Sequence, residues 1–189
     1  LSPVVVWTDA PSHASSPATV PAIPTGTVLP GMAGTAPAMT ECDFPASPLQ
    51  RKPPMIRITA GPFTFVARFE EKDAPKTCAA FRALLPYRQR IIHVRWSGEA
   101  CWIPLGDFDF GLPYENATSY PAPGQILIHP GSVSETEILL GYGACRFASK
   151  VGQLAGNHFL TVTEGTENLM NLGKLVLWSG AQDIVFAEA

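Results

Sequence analysis

One stretch constrains this chain more than any other: Asp73-Ala-Pro-Lys-Thr-Cys-Ala-Ala-Phe-Arg-Ala-Leu-Leu-Pro86, placed behind two strand-like runs. Before it, Ile56-Arg-Ile-Thr-Ala-Gly-Pro-Phe-Thr-Phe-Val-Ala-Arg-Phe69 reads as two strands around a Gly61-Pro62 turn. Phe63, Phe65, Ala67 and Phe69 alternate with Thr64, Val66 and Arg68, which gives the second strand one aromatic face. Asp73 is expected to cap the following helix by accepting backbone N–H bonds, and Pro75 suits a first turn, where its missing N–H costs nothing. Cys78, Phe81, Leu84 and Leu85 form an apolar stripe at helical spacing, and Pro86 ends it.

Downstream the pattern is mostly β. Strands are expected at 90–96, 101–104, 125–129, 136–142, 144–148, 157–163, 174–178 and 182–187, with a short helix at 165–172 before the last two. Many short strands punctuated by Gly and Pro argue for a mainly β fold: a closed barrel of about eight strands with two short helices plugging its ends, which leaves no raw sheet edges.

Composition changes near residue 54. Residues 1–54 hold eleven of the nineteen prolines and only two aromatics, Trp7 and Phe44, too little apolar surface to offset the entropy of ordering. This leader is expected to be disordered, an arm lying on this or a neighbouring subunit, or upstream of a biological start at Met55, where the strand pattern begins. The leader lacks the basic start and unbroken apolar run of a secretory signal. No apolar run approaches the ~20 residues of a bilayer span. A net charge of −3 without a basic run excludes gathering of nucleic acid by charge. Cys42, Cys78, Cys101 and Cys145 form no Cys-x-x-Cys pair, so buried free thiols in a cytoplasmic protein are expected rather than a zinc or redox motif.

The strand pair followed by a helix carrying Ala-Pro-Lys-Thr and Phe-Arg-Ala-Leu resembles the opening of cyclophilins. The segments Tyr120-Pro-Ala-Pro-Gly-Gln-Ile-Leu-Ile-His-Pro-Gly131 and Glu137-Ile-Leu-Leu-Gly-Tyr-Gly143 resemble small bacterial cyclophilin-like proteins. Within these, Arg95-Trp-Ser-Gly-Glu-Ala-Cys-Trp102, Ser134-Glu-Thr-Glu137, Arg146 to His158 and Leu177-Trp-Ser-Gly-Ala-Gln182 look like one bacterial domain-of-unknown-function family. The resemblance covers 55–189 and implies the fold without a reaction. It also implies pairing into a homodimer. Cyclophilins carry an arginine directly after a Phe-His pair on a barrel strand. Here Val94 follows His93 and the arginine comes one place later, on the opposite strand face, which disfavours prolyl isomerase activity.

The candidate site is the 93–102 segment. In strand 90–96, Ile92, Val94 and Trp96 are expected to face the core, with His93 and Arg95 sharing the other face with Ile91, about 7 Å apart. A cation beside an imidazole can anchor a carboxylate or amide ligand, or the arginine can tie the barrel surface together through a carboxylate. Trp96 and Trp102 offer flat walls, and Glu99 in the intervening turn is a candidate acid or base, as is His93. Glu135 and Glu137 share one face if the strand has begun there, and pairing with Arg95 or Arg146 explains them more simply than a metal. Gln153, Asn157 and His158, around a Gly-bounded loop, can read a ligand or satisfy loop backbone, and His129 is read as structural. No metal or cofactor is expected. The sequence thus predicts a site for a small polar or anionic ligand around Arg95, flanked by His93, Trp96, Glu99, Trp102, Glu135, Glu137, Gln153, Asn157 and His158. A peptide or protein recognition module without chemistry is the alternative. Membrane and nucleic-acid partners are not expected.

Overall fold

The computed structural model describes residues 55–189. The expectations for 1–54, including the start at Met55, the arm and the state of Cys42, lie outside the described residues. The elements are β1 (Met55–Ala60), β2 (Phe63–Phe69), α1 (Pro75–Arg82), β3 (Tyr87–His93), β4 (Gly98–Gly106), β5 (Ala117–Thr118), β6 (Gln125–His129), β7 (Thr136–Cys145), β8 (Ala148–Ser149), β9 (Gly152–Gln153), β10 (Gly156–Glu164), α2 (Leu169–Ser179) and β11 (Gln182–Glu188).

Eight of these strands run in the order β2-β1-β11-β3-β4-β7-β6-β10, and β10 pairs again with β2. Every pairing is antiparallel, so the ring is a closed eight-stranded barrel. Its interior is a single apolar core. Phe81 of α1 lies at 4.8 Å from Phe159, 5.2 Å from Phe186 and 5.5 Å from Tyr87, so the helix enters the core as an aromatic wedge. α2 adds Leu169, Leu172 and Val176 at helical spacing, and Gly173 lets it approach Tyr142, whose ring a Cβ there would strike.

Three strands are apolar on both faces. β7 buries Ile138, Leu140 and Tyr142 in the barrel and Leu139 outside it. A second, smaller core forms on that outer face from Ala100, Leu127, Leu139, Phe147 and Leu154. Phe147 and Leu154 flank the β8–β9 hairpin, whose strands pair Ala148 with Gln153 and Ser149 with Gly152. This hairpin is therefore a flap laid over β4, β7 and β6.

Four expectations are corrected. Residues 174–178 are the second half of α2, because the buried set Leu172, Gly173 and Val176 follows a helical period. The run 144–148 is split between the end of β7 and the start of the flap. α1 receives no side-chain cap from Asp73: its first residue after the cap is Pro75, and the N-cap is Ala74. The orphan donors are met from far away instead, since Glu115 Oε1 accepts the Thr77 N–H at 2.5 Å and the Thr77 hydroxyl at 2.8 Å. Finally, a bulge between His158 and Leu160 turns Phe159 and Leu160 both inward, so the strand expected at 157–163 does not alternate as a regular strand would. The described cysteines are free thiols, with Cys78 and Cys101 buried and Cys145 half-buried. Burial pushes the first two up to about 12 and Cys145 up to about 11, well away from reactive thiolates.

The seam that closes the barrel carries a polar strap. Glu70, just beyond β2, accepts from Thr161 at 2.5 Å and pairs with Arg68 at 3.1 Å, while His158 Nε2 lies 2.9 Å from the Thr161 hydroxyl. Burial raises the Glu70 carboxyl, but the bonds from Thr161 and Arg68 outweigh it and leave Glu70 below 4.5. Burial lowers His158 below 6.5, only partly opposed by the Glu70 charge. Both groups bind protons more weakly folded than unfolded, so their contribution is present above those ordinary values and lost as pH falls. The thermal midpoint should drop between about pH 7 and pH 4, with a shallower slope in Glu70→Gln. Equal slopes would remove the strap from the account.

Candidate functional site

β3 ends at His93, and the chain then bends through Arg95–Ser97 before β4. Gly98 makes this bend possible: it sits at φ +83°, and a Cβ there would press on the Ala144 carbonyl at 2.7 Å. Ser97 is buried and clasps the flap. Its hydroxyl donates to the Ala148 carbonyl at 3.0 Å and accepts the Ala148 N–H at 3.1 Å, while its own carbonyl accepts the Arg146 N–H at 3.1 Å.

Between the bend, the flap and the outer face of β4 and β7 lies a cavity of about 310 Å³. Arg95, Trp96, Trp102, Glu135 and Glu137 of the sequence-predicted set line it, joined by Ser97 and Lys150. Trp102 projects from the outer face of β4, opposite Leu139, and its Nε1–H is buried with no hydrogen-bond partner among the described residues. Glu137 is only 5% exposed. Its burial, with the Glu135 charge nearby, pushes its carboxyl up to about 8, so it is a neutral acid at neutral pH. Arg95 and Lys150 are exposed at the rim, and among the described residues neither is in an ion pair. A polar cleft beside the cavity, carrying Asp107 and Asp109, shares Ser134, Glu135 and Lys150 with it.

The other predicted residues lie elsewhere. Ile91 is in the barrel core, so His93, two residues on, faces the interior side, and the facing assigned to β3 is inverted. His93 Nδ1 donates to the Val94 carbonyl at 2.8 Å, which leaves Nε2 to accept from the Tyr142 hydroxyl at 2.8 Å. Val94 packs on the outer core instead, and Trp96 is 60% exposed rather than buried. Arg95 does not share a face with His93, because the strand has ended before it. Glu99 accepts the Ala144 N–H at 2.7 Å and packs against Gly143, holding the end of β7. Gln153 accepts from the Tyr120 hydroxyl at 3.3 Å on the flap. Asn157 is fully buried and braces the loop that caps α1: its amide donates to Thr77 and Pro113 and its oxygen accepts from Glu115. His158 belongs to the seam strap.

Sequence reading did not single out Lys150 or Ser97. Lys150 stands at the tip of a tight hairpin before Gly152, at φ +116°, and that lone cation at a turn is the available signal. His129 sits directly across from Glu137 on β6. It is fully buried, its Nδ1 donates to the Ala155 carbonyl at 2.8 Å, and its Nε2 has no partner among the described residues.

A closed antiparallel barrel with a flap-covered hollow on its outer wall is the class these features define. Residues 56–188 match the family described as "Protein of unknown function (DUF3830)", and the chain belongs to that family. Among solved structures it is similar to McbB in complex with tryptophan, at 15% identity and a TM-score of 0.51, over 70% of this chain and 44% of that one. It is likewise similar to the solution structure of the hypothetical protein AF2241 from Archaeoglobus fulgidus, at 16% identity and a TM-score of 0.50, over 72% of this chain and 95% of that one. The chain thus spans less than half of McbB, and at these identities the likeness is one of fold. No curated protein matches the chain.

Two outcomes check this geometry. Ser97→Ala removes the clasp and leaves the Ala148 N–H unpaired, and should cost about 1–3 kcal/mol in denaturant unfolding. Glu137 holds its proton to about 8 when folded but sheds it from about 4.5 when unfolded, so its burial costs more stability as pH rises through that window. The thermal midpoint of Glu137→Gln should therefore gain on the wild type as pH rises from 4.5 to 8. A constant offset would mean that Glu137 is ionised in the folded chain.

Proposed function

We propose that this protein binds a small polar or anionic ligand, foremost a carboxylate, in the cavity under the flap. The observation that carries the reading is the Trp102 indole N–H, a buried donor with no partner among the described residues, on a side chain that lines the hollow. Such a group costs about 1–3 kcal/mol unless something accepts from it, and a guest in the cavity is the natural acceptor. Arg95 and Lys150 at the rim supply unpaired positive charge for the anion. Trp96 and Trp102 supply flat apolar surface. Any proton handled in the site belongs to Glu137 rather than to Glu99 or His93, since those two are engaged by the Ala144 N–H and by Tyr142. McbB is recorded with tryptophan, itself a carboxylate; that is a property of McbB, and the present reading rests on the cavity.

A second reading is a short peptide laid along the cavity and the adjoining cleft without chemistry. Its support is that the two hollows share Ser134, Glu135 and Lys150. A thermal-shift series with amino acids, keto acids, aromatic carboxylates and short peptides separates the two. A ligand at a hundredfold excess over its dissociation constant raises stability by about 2.7 kcal/mol. A shift from small carboxylates that vanishes in Arg95→Ala supports the first reading. A response only to peptides selects the second, and no response at all defeats both.

A further inference from the structure

We propose that the floor of this cavity reads the edge of a flat cyclic imide or ureide, and that the same ligand carries the carboxylate held at Arg95 and Lys150. The inference rests on the anion-binding reading above and adds what the inner end of the ligand must be. Glu137 and Trp102 come from neighbouring strands of the barrel. Trp102 faces Leu139 across the β4–β7 pair, and Glu137 is two residues before Leu139 on the same face of β7. The two are therefore diagonal neighbours, with backbone positions about 7–8 Å apart, within the span of one small ring.

The state of the Glu137 side chain follows from what surrounds it. No described cation pairs with it. The residue directly across the β6–β7 pair is His129, which offers a lone pair at Nε2 because its Nδ1 already donates to Ala155. Burial of the carboxyl with no described cation in contact favours the protonated acid, and its O–H is not spent on His129, whose Nε2 has no partner among the described residues. A carboxylic acid presents one donor and one acceptor side by side. The complement of that edge is a cis amide, –NH–C(=O)–, which meets it with two parallel hydrogen bonds. A second ring carbonyl then accepts from the Trp102 Nε1–H. A ring that carried only a carboxylate would leave the floor groups unpaired.

Isothermal titration of the full chain with three probes tests this. Orotate has a ureide ring and a carboxylate, nicotinate a flat ring and a carboxylate, and uracil the ring edge alone. Orotate should bind at least about tenfold more tightly than either, the difference expected for a buried hydrogen-bonded edge. Glu137→Leu should bring orotate down to the nicotinate level, and Glu137→Gln should preserve the preference, since a carboxamide also presents a donor beside an acceptor. Arg95→Ala should weaken orotate and nicotinate alike. If nicotinate matches orotate in the wild type, or Glu137→Leu leaves their ratio unchanged, the ureide inference falls while the anion site stands. If neither acid binds the wild type, both readings fall. Should Glu137→Leu fail to fold, the wild-type ratio and Glu137→Gln decide, and loss of the preference in Glu137→Gln overturns the proposal.

Discussion

The pairing of β10 with β2 is the constraint on which everything else rests. It closes the ring, so that every barrel strand has one face turned to a common interior and one turned out. The interior is satisfied by aliphatic side chains and by the aromatic wedge around Phe81. What remains is the outer wall. β4, β6 and β7 put Ala100, Leu127 and Leu139 on that wall, and apolar surface there must be covered. The flap, with Phe147 and Leu154, covers it. The cavity exists because the flap is held at one side by Ser97 and stands clear of the wall at the other.

This arrangement explains why the cavity holds polar groups that the rest of the fold avoids. Elsewhere, buried polar side chains are matched: Asn157 is bonded on both ends of its amide, and Thr77 is bonded through its hydroxyl. Under and beside the flap, Trp102 Nε1 and His129 Nε2 have no partner among the described residues, and burial keeps Glu137 neutral. Two buried groups without a described partner and a buried neutral acid, gathered beside one hollow in a fold that satisfies its amides elsewhere, are the features on which the proposed ligand site rests.

The alternating run Phe63–Phe69 and the helical stripe of Cys78 and Phe81 were legible because a single period dominates each. Strands β6 and β7 were legible for the opposite reason: Ile126-Leu-Ile128 and Ile138-Leu-Leu140 are unbroken apolar runs, as expected for strands covered on both faces. Five members of the predicted site, from Arg95 to Glu137, do line one hollow. The others were misplaced by features that no local pattern reports. β3 stops at His93, so a face assigned by counting residues no longer applies to Arg95. The bulge in β10 turns Phe159 and Leu160 the same way. The cap on α1 comes from Glu115, 38 residues away from Thr77. Each is a matter of register or of long-range closure, and a one-residue error in either moves a side chain to the opposite wall.

The most direct measurement is the two-dimensional amide and indole NMR spectrum of the labelled chain during titration with nicotinate, a plain aromatic carboxylate. If the outer cavity is the site, the Trp102 indole N–H resonance moves most, together with the backbone amides of Ser97 and Lys150. The amides of His93 and Tyr142 on the interior side stay still. Shifts centred on the His93–Tyr142 pair, or an indole resonance of Trp102 unmoved at saturation, would contradict the account.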